Sequence, residues 1–222
     1  MCTVGHRHHF RLEPLVELVS GRVVGHELLA GESNCPTYDM SSWRRFYHFL
    51  ENEIPDILQQ NKGLLFVNLD GMQMLDPEIG TSVMNLKSHA ERLVLEWTEQ
   101  HFHSDHFIAV LAKIAFFKSQ GFQIAVDDIG AGIDGMGRAH SCRPHFGKID
   151  GQILARARKS NDEQRHLYIR GMVDSLRSHG ARVIVEWIES PQDRDIALAA
   201  GADLGQGYLW TKPQNGEVNP CV

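Results

Sequence analysis

Carboxylate and amide side chains recur along this chain at the points where short apolar runs end. Glu27, Asn68 and Glu96 each lie at the end of one such run, and the pair Asp127-Asp128 lies at the end of another. Carboxylate and amide oxygens are the ligands that Mg²⁺ and Mn²⁺ prefer, whereas zinc sites usually contain His or Cys. Two such ions can activate a water and stabilise the oxygens of a phosphodiester. The residue types therefore indicate metal-assisted phosphodiester chemistry.

Later apolar runs supply further polar residues at the same kind of position. Lys148 and Asp150 lie two residues apart in FGKID, so on a strand both would face the same way. Glu186 and Gln206 lie in the last two apolar runs. Taken singly, a glutamate or lysine at a strand end is more often a solvated surface residue. The recurrence at successive strand ends is what predicts a shared site.

The adjacent pair Asp127-Asp128 is the strongest single signal. Neighbouring residues on a strand point to opposite faces, so both carboxylates can serve one site only if the strand bends there. The following segment Ile129–Gly132 predicts that bend, because its glycines adopt positive φ freely. Two adjacent carboxylates repel each other, and a cation between them removes that cost. A solvated acidic turn is the alternative interpretation of the pair.

Apolar runs and amphipathic stretches alternate along the chain, which is typical of strands joined by helices. The predicted strands are 9–18, 22–29, 64–69, 92–97, 123–127, 146–149, 182–187 and 203–209. The predicted helices are 41–60, 77–89, 105–120, 162–179 and 191–199. A hairpin turn at Val19-Ser20-Gly21 would make the first two strands antiparallel. Eight strands with helical crossovers favour a barrel, whose active site lies at the carboxyl ends of its strands.

Size and composition narrow the class of protein. The chain has 222 residues, of which 42% are hydrophobic, and no internal repeat or linker, so we predict one domain over residues 1–222. The formal net charge of -6 argues against a basic face that binds a nucleic acid polymer. Four scattered cysteines favour a reducing cytoplasm, and no apolar run is long enough to predict a membrane span.

Several segments, in their order and spacing, resemble the motifs of one family. The segment Glu27–Leu29 (ELL) is similar to the signature E-A-L, LEWTE at 95–99 to L-E-x-T-E, and DDIGAG at 127–132 to D-D-F-G-T-G. GKID at 147–150 and GADLGQGYLWTKP at 201–213 resemble two later motifs. The family is that of the EAL domains, bacterial phosphodiesterases of cyclic di-GMP. The resemblance implies an α/β fold, a modified TIM-like (β/α)₈ barrel with an antiparallel strand near the N-terminus.

The resemblance also implies roles for individual residues. Two ions, Mg²⁺ or Mn²⁺, would be held by Glu27, Asn68, Glu96, Asp127, Asp128 and Glu186. Residues implied to act in catalysis or to brace the catalytic loop are Lys148, Glu186 and Glu99. The substrate, cyclic di-GMP, would be hydrolysed to the linear dinucleotide pGpG. Residues expected to contact it are Gln206, Leu28, Asp150 and Pro14.

Departures from the family pattern keep other functions open. Gly31 stands where the family usually has an arginine that meets a substrate phosphate, and Trp187 stands in place of a glycine. The alternative is therefore a catalytically weak or inactive regulator that binds cyclic di-GMP or a protein partner. A metal-dependent lyase barrel would use the same oxygen ligands. The resemblance further implies a homodimer formed through the loop and helix at about 129–142.

Overall fold

Eight strands close into a barrel in the order in which they follow along the chain. The computed structural model describes residues 10–30, 39–98, 104–131, 135–159 and 162–211. The strands are β1 (Phe10–Glu17), β2 (Val23–Ala30), β3 (Leu64–Leu69), β4 (Leu93–Trp97), β5 (Gln123–Ile129), β6 (Phe146–Ile149), β7 (Arg182–Val185) and β8 (Leu204–Gly205). The predicted α/β barrel is confirmed, although β8 is far shorter than the expected 203–209.

Helices connect the strands around the outside of the barrel. They are α1 (Met40–Gln60), α2 (Gly71–Leu75), α3 (Pro77–Asn85), α4 (Phe107–Ser119), α5 (Gly135–Cys142), α6 (Gly151–Lys159), α7 (Asp162–Ser178), α8 (Pro191–Ala199) and α9 (Tyr208–Thr211). The five helices predicted from periodicity correspond to α1, α3, α4, α7 and α8. The helix expected over 77–89 ends early and is followed by a 3₁₀ helix, Lys87–Arg92. Helices α2 and α9 were missed because segments of five and four residues show too few turns for a helical period to be recognised. Helix α6 was also missed, although it is as long as α3 and α8 and its apolar residues Ile153, Leu154 and Ala157 have helical spacing.

Strand β1 runs against both of its neighbours. It pairs antiparallel with β2, where Glu13 lies opposite Glu27, and antiparallel with β8, where Val16 lies opposite Gly205. The remaining neighbouring strands pair parallel. Gly21, at φ +71°, lies in the turn between β1 and β2, so the predicted hairpin is confirmed. Because β1 is reversed, its first residues lie at the rim where the other strands end.

Side chains alternate between an outer and an inner apolar layer. The outer layer lies between the strands and the helices and includes the fully buried Trp97 and Phe117. The inner layer fills the barrel below its rim and consists of Leu15, Phe66, Val94, Ala125, Phe146, Ile184 and Leu204. Side chains on a strand alternate with a period of two residues. Residues two positions beyond the inner layer therefore point into the same interior, one level higher.

The described residues form one barrel, and the assignment of the whole range 1–222 to one domain stays a prediction. Among the described helices, none combines the length and the apolar composition that crossing a bilayer would require.

Candidate metal-binding and catalytic site

A ring of polar side chains lies at the rim, directly above the inner apolar layer. On six of the strands the side chain lies two residues after an inner-layer residue, as Asn68 follows Phe66 and Glu96 follows Val94, and on β2 Glu27 lies two residues after Gly25. Asn68 and Glu96 are also register partners of β3 and β4. The members of the ring are Glu27, Asn68, Glu96, Asp127, Lys148, Glu186 and Gln206. The residues that the sequence singled out at separate strand ends are therefore neighbours in space.

Lys148 lies at the centre of this ring. Its Nζ is 3.2 Å from Glu27 Oε2, 2.5 Å from Glu96 Oε1, 3.2 Å from Asp127 Oδ1 and 2.8 Å from Glu186 Oε1. The lysine side chain is 2% exposed, so these carboxylates have replaced the water around its ammonium. One positive charge faces four acidic groups, and the ring therefore favours further cations.

Three side chains hold Glu27 in place. Asn68 Nδ2 donates to Glu27 Oε1 at 2.9 Å, Gln206 Nε2 donates to Oε2 at 2.6 Å, and Lys148 donates to the same oxygen at 3.2 Å. Four buried acceptors of the ring have no hydrogen-bond partner among the described residues, namely Asn68 Oδ1, Gln206 Oε1, Glu96 Oε2 and Asp127 Oδ1, of which the last has an ion pair with Lys148. Buried oxygens are rarely left unpaired, and a bound cation can serve several of them at once.

Asp127 and Asp128 reach the site together because β5 bends between them. Asp128 has φ +55°, in the left-handed region, and the register of β5 with β6 shifts at this point. The bend expected within Ile129–Gly132 therefore begins one residue earlier, on a residue type that tolerates this conformation. Oxygens of Asp127, Asp128 and Glu186 lie within 4.8 Å of one another. The bend thus places three carboxylates side by side.

Burial and crowding change the protonation of these groups. Burial raises the pKa of Glu186 to about 8, an effect that Lys148 opposes and Asp127 reinforces. Burial and repulsion by Asp127 raise the pKa of Asp128 to about 6. Burial, with a neighbouring glutamate, also raises the pKa of Glu96 well above its usual range. Burial alone would lower the pKa of Lys148, but the surrounding carboxylates raise it well above its ordinary value, so the ammonium stays charged.

The donor set fits a divalent cation that prefers oxygen. The cluster of close ligand atoms among the described residues is made of carboxylates, without His or Cys. An excess of acidic groups and unpartnered buried oxygens are two separate features that a cation would resolve. Mg²⁺ or Mn²⁺ suits such a set better than zinc.

The other predicted residues lie at different distances from the ring. Asp150 is buried directly after β6, and its carboxylate accepts the backbone N–H of Gln152 at 2.6 Å. Leu28 is buried in the outer apolar layer, and alternation turns Pro14 away from the barrel interior. Glu99 lies outside the described residues. Substrate contact stays a prediction for these residues, and the outward placement of Leu28 and Pro14 argues against a direct contact from either.

Glu13 is a rim residue that the sequence analysis missed. It lies opposite Glu27 in the β1–β2 pair, and burial, together with the charge of Glu27, raises its pKa. The signal was present, because Glu13 lies two residues before the inner-layer Leu15 on a reversed strand. The resemblance implied a role for its neighbour Pro14 instead.

Arg138 of α5 was also missed. It is 1% exposed, and its guanidinium donates to the backbone carbonyls of Trp97 at 2.9 Å and Asp127 at 2.8 Å. The guanidinium carbon also lies 5.3 Å from the ring centroid of Trp97. Arg138 therefore links the carboxyl ends of β4 and β5 through hydrogen bonds to their main chains. No pattern in the sequence indicated this, since most arginines on short helices are exposed.

Comparison with known proteins finds relatives across most of the chain. The family model described as EAL domain matches residues 5–213. YkuI of Bacillus subtilis, an uncharacterized EAL-domain containing protein, is 31% identical over 68% of this chain and 38% of its own length. PdeI of Escherichia coli, a probable cyclic di-GMP phosphodiesterase, is 28% identical over 68% of this chain and 19% of its own length. BluF of Escherichia coli, a blue light- and temperature-regulated antirepressor, is 22% identical over 92% of this chain and 54% of its own length. The chain thus spans between 19% and 54% of the length of these relatives.

Solved structures with this fold include complexes with cyclic di-GMP. A standalone EAL protein from Vibrio cholerae, in its c-di-GMP bound form, has a TM-score of 0.77 and 21% identity, covering 95% of this chain and 94% of that one. BlrP1 of Klebsiella pneumoniae, in a manganese and cyclic di-GMP complex, has a TM-score of 0.76 and 22% identity, covering 94% of this chain and 56% of that one. At these identities the likeness shows the fold. Together with the match over residues 5–213, it confirms the resemblance drawn from the motifs: the chain belongs to the EAL domain family.

Proposed function

We propose that this protein is a metal-dependent phosphodiesterase that hydrolyses cyclic di-GMP to the linear dinucleotide pGpG. The observation that carries the proposal is the ring of four carboxylates around the buried ammonium of Lys148. Such an excess of acidic oxygens over positive charge suits divalent ions that act on a phosphodiester. The relative named as a probable cyclic di-GMP phosphodiesterase and the solved cyclic di-GMP complexes support this choice of substrate.

Two overlapping groups of oxygens would each hold one ion, Mg²⁺ or Mn²⁺. The first group consists of Glu27, Asn68, Glu96 and Asp127, and the second of Asp127, Asp128 and Glu186. When bound, such ions supply an activated water and neutralise charge on phosphoryl oxygens. Asn68 Oδ1 and Glu96 Oε2 support the first group, because both are buried oxygens without a hydrogen-bond partner among the described residues.

The residues of the chain itself would orient the diester and transfer protons. Lys148 keeps its proton because its pKa is raised, so it would present a fixed positive charge to a phosphate oxygen. Glu186 lies beside Lys148, at 2.8 Å, and among the ligands of the second group, so its carboxylate would be placed to accept a proton from the attacking water. Gln206 holds Glu27 with its amide nitrogen and would offer its oxygen to water or substrate. Attack of water on phosphorus breaks one P–O bond to ribose, whose oxygen leaves with a proton and opens the ring.

Turnover of cyclic di-GMP by the purified protein tests the proposal. With Mg²⁺ or Mn²⁺ we expect pGpG, resolved by chromatography, and no product when a chelator is present. Glu96→Gln should abolish turnover, because it removes a charged oxygen from the buried ring. Glu78→Gln is the matched control, since this acid of α3 is 68% exposed and pairs with Arg44 rather than with Lys148, and its turnover should equal that of the wild type. Absence of product with either metal at high enzyme concentration would rule out the catalytic function.

A regulator that binds without hydrolysis is the second candidate. The observation in its favour is the alignment with an antirepressor, BluF, over 92% of this chain. The sequence departure at Gly31, which lies outside the described residues, points the same way because a phosphate contact would be lost. Calorimetric binding of cyclic di-GMP without formation of pGpG would favour the regulator, whereas turnover would show that binding is not the whole function.

We further propose that two copies associate through the loop and helix after Asp128, at about 129–142, and that the protein works in the cytoplasm. Helix α5 lies in this segment and packs against α4, which exposes Ile108 (75%) and Phe116 (42%). Contact with a second copy would cover these two apolar side chains. Light scattering should report a dimer, and Phe116→Glu should reduce the dimeric fraction. A monomer at every concentration tested would contradict the association.

A further inference from the structure

Trp187 is an exposed aromatic residue at the rim of the site that the proposed mechanism does not use. It directly follows Glu186, whose carboxylate contacts Lys148 at 2.8 Å. The residue is 51% exposed, and its backbone has φ +54°. A large residue rarely adopts this left-handed conformation, which costs free energy that glycine would avoid. A tryptophan with a strained backbone and a side chain exposed to water calls for a functional explanation.

The same backbone geometry recurs at Asp128. Asp127 and Glu186 are both inward-facing acids at the carboxyl ends of their strands, and each is followed by a residue in the left-handed region, Asp128 at φ +55° and Trp187 at φ +54°. At the first position the bend keeps the second side chain at the site, since oxygens of Asp128 and Glu186 lie within 4.8 Å of each other. A bend of the same kind after Glu186 places Trp187 at the end of β7, against Gly151 at the end of β6.

The indole of Trp187 rests on the backbone of Gly151. A Cβ atom built on Gly151 would lie 2.1 Å from Trp187 Cγ and 2.2 Å from Trp187 Cδ2, so the ring occupies the space that a side chain would need. Gly151 follows Asp150, which is itself buried at the rim. The indole thus packs against main chain at Gly151, while about half of the surface of the residue stays open to solvent. This is the arrangement of a platform on which a flat ring can stack.

We infer that Trp187 stacks against a purine base of the substrate and thereby strengthens binding of base-bearing dinucleotides. The inference rests on the proposed function, because it assigns the phosphate to the ring of ligands and the base to the adjacent indole. An indole face is a strong partner for any nucleobase, and stacking depends little on base identity. Trp187 therefore contributes to substrate affinity rather than to the chemical step, and its loss should raise the KM rather than lower kcat.

Steady-state kinetics with cyclic di-GMP on three variants test the assignment. Trp187→Gly should raise the KM about 5-fold or more while changing kcat little, since stacking on an aromatic side chain is worth at least a 5-fold change in affinity for each base. Trp187→Phe keeps an aromatic face and should retain most of the affinity. Tyr168→Ala is the matched control, because Tyr168 is an aromatic residue of comparable exposure (46%) on the outer helix α7, and its kinetic constants should equal those of the wild type.

Thermal stability distinguishes a variant that has lost only the stacking contact from one that has lost its folded structure. Glycine relieves the positive φ of position 187, so the Tm of Trp187→Gly should equal or exceed that of the wild type. Quenching of indole fluorescence on titration with cyclic di-GMP should decrease in Trp187→Phe. An unchanged KM in Trp187→Gly would overturn the inference while leaving the proposed function intact.

Failure of the proposed hydrolysis would give a different result from failure of the stacking inference. If the wild type binds cyclic di-GMP but does not cleave it, the proposed hydrolysis is wrong, and the dissociation constants of the same variants, measured by calorimetry, still decide the role of Trp187. An equal dissociation constant in wild type and Trp187→Gly then overturns the stacking assignment. If the wild type neither cleaves nor binds cyclic di-GMP, both proposals are wrong.

Discussion

At the scale of single residues, the site depends on how one ammonium is shared among carboxylates that would otherwise repel one another. Lys148 contacts four of them from a position that is almost fully buried. A buried charge is tolerated only while its partners remain, and removing one partner leaves the others uncompensated. Lys148 therefore contributes to the stability of the metal-free rim as well as to the proposed catalysis.

Replacement of Lys148 by methionine should reveal its contribution to stability and its contribution to catalysis. We expect kcat for cyclic di-GMP to fall about 100-fold or more, because a preorganised charge at the phosphate is lost. In the presence of a chelator, urea unfolding should show a loss of roughly 3 kcal/mol, since the buried carboxylates lose their counter-ion. Lys62→Met, at an exposed lysine, is the control and should unfold like the wild type. Wild-type stability of the Lys148 variant without metal would contradict this account.

Protonation of Glu186 should make the stability of the metal-free protein depend on pH. Its pKa is about 8 in the folded protein against an ordinary value of 4.5, so between these values the folded state binds more protons than the unfolded state. Stability therefore decreases as the pH rises through this range, by at most about 1.4 kcal/mol per pH unit. Asp128, with a pKa of about 6 against 3.8, adds a decrease at lower pH.

Urea unfolding in chelator at a series of pH values measures this dependence. Glu186→Gln should flatten the decrease, because its side chain does not titrate. Saturating Mn²⁺ should also reduce it, since a bound cation favours the ionised carboxylates. A free energy of unfolding that increases between pH 5 and pH 8 in the metal-free wild type would show that the sign assigned to Glu186 is wrong.

At the scale of elements, the ring depends on how strand ends are fixed in place. Strand β5 ends in a bend at Asp128, and α5 returns Arg138 to the carbonyl of Asp127. The same guanidinium reaches the carbonyl at the end of β4. A short helix thus positions two metal-ligand candidates through the main chain. This arrangement explains how a bent strand end can hold its carboxylates in register with those of its neighbours.

Arg138→Met should destabilise the protein and disturb the site. Loss of two charge-assisted hydrogen bonds to buried carbonyls should lower the free energy of unfolding by about 2–4 kcal/mol. Because Asp127 loses its support, we also expect weaker Mn²⁺ binding by calorimetry. Arg170→Met is the control, since this arginine of α7 is 64% exposed and should change stability by less than about 0.5 kcal/mol. Equal Mn²⁺ affinity in Arg138→Met and wild type would mean that the arginine only stabilises the fold.

At the scale of the whole molecule, the site requires the barrel to close between β1 and β8. This seam is short, with Val16 opposite Gly205. A Cβ atom at Gly205 would lie 2.6 Å from Ile188 Cδ1 and 2.8 Å from Leu18 Cδ2. The absence of a side chain at this position therefore lets the two strands and the surrounding apolar residues meet. Gln206, the neighbouring residue, then reaches Glu27 at 2.6 Å.

Gly205→Val should weaken the pairing of β1 with β8 that closes the barrel. This should disturb the ring at the rim as well as the apolar core. Overpacking of this kind costs about 1–3 kcal/mol in urea unfolding. Gly171→Ala is the matched control, because a Cβ atom there meets nothing within 4 Å and alanine favours the helix, so stability should rise by up to about 1 kcal/mol. Full stability of Gly205→Val would show that the seam has room that the structure does not indicate.

The sequence by itself determined the eight strands, the reversed first hairpin and the residues of the ring. All three depend on short-range pattern: apolar residues form a short run along each strand, and the polar residue that follows such a run falls at the strand end. Glu13 obeys the same rule and could have been found with it. The αL bend at Asp128, by contrast, was placed one residue too late, because a local sequence does not show which residue will adopt the strained conformation.

Only the tertiary structure decided which polar groups meet. Gln206 and Glu27 are 179 residues apart in sequence and hydrogen-bond because the barrel closes, and Arg138 is buried only because α5 folds back onto the ends of β4 and β5. Short elements such as α2, α9 and the two-residue β8 likewise take their form from their neighbours rather than from their own periodicity. Local pattern fixes which side of an element a residue faces, whereas contact between distant elements depends on how the whole chain packs.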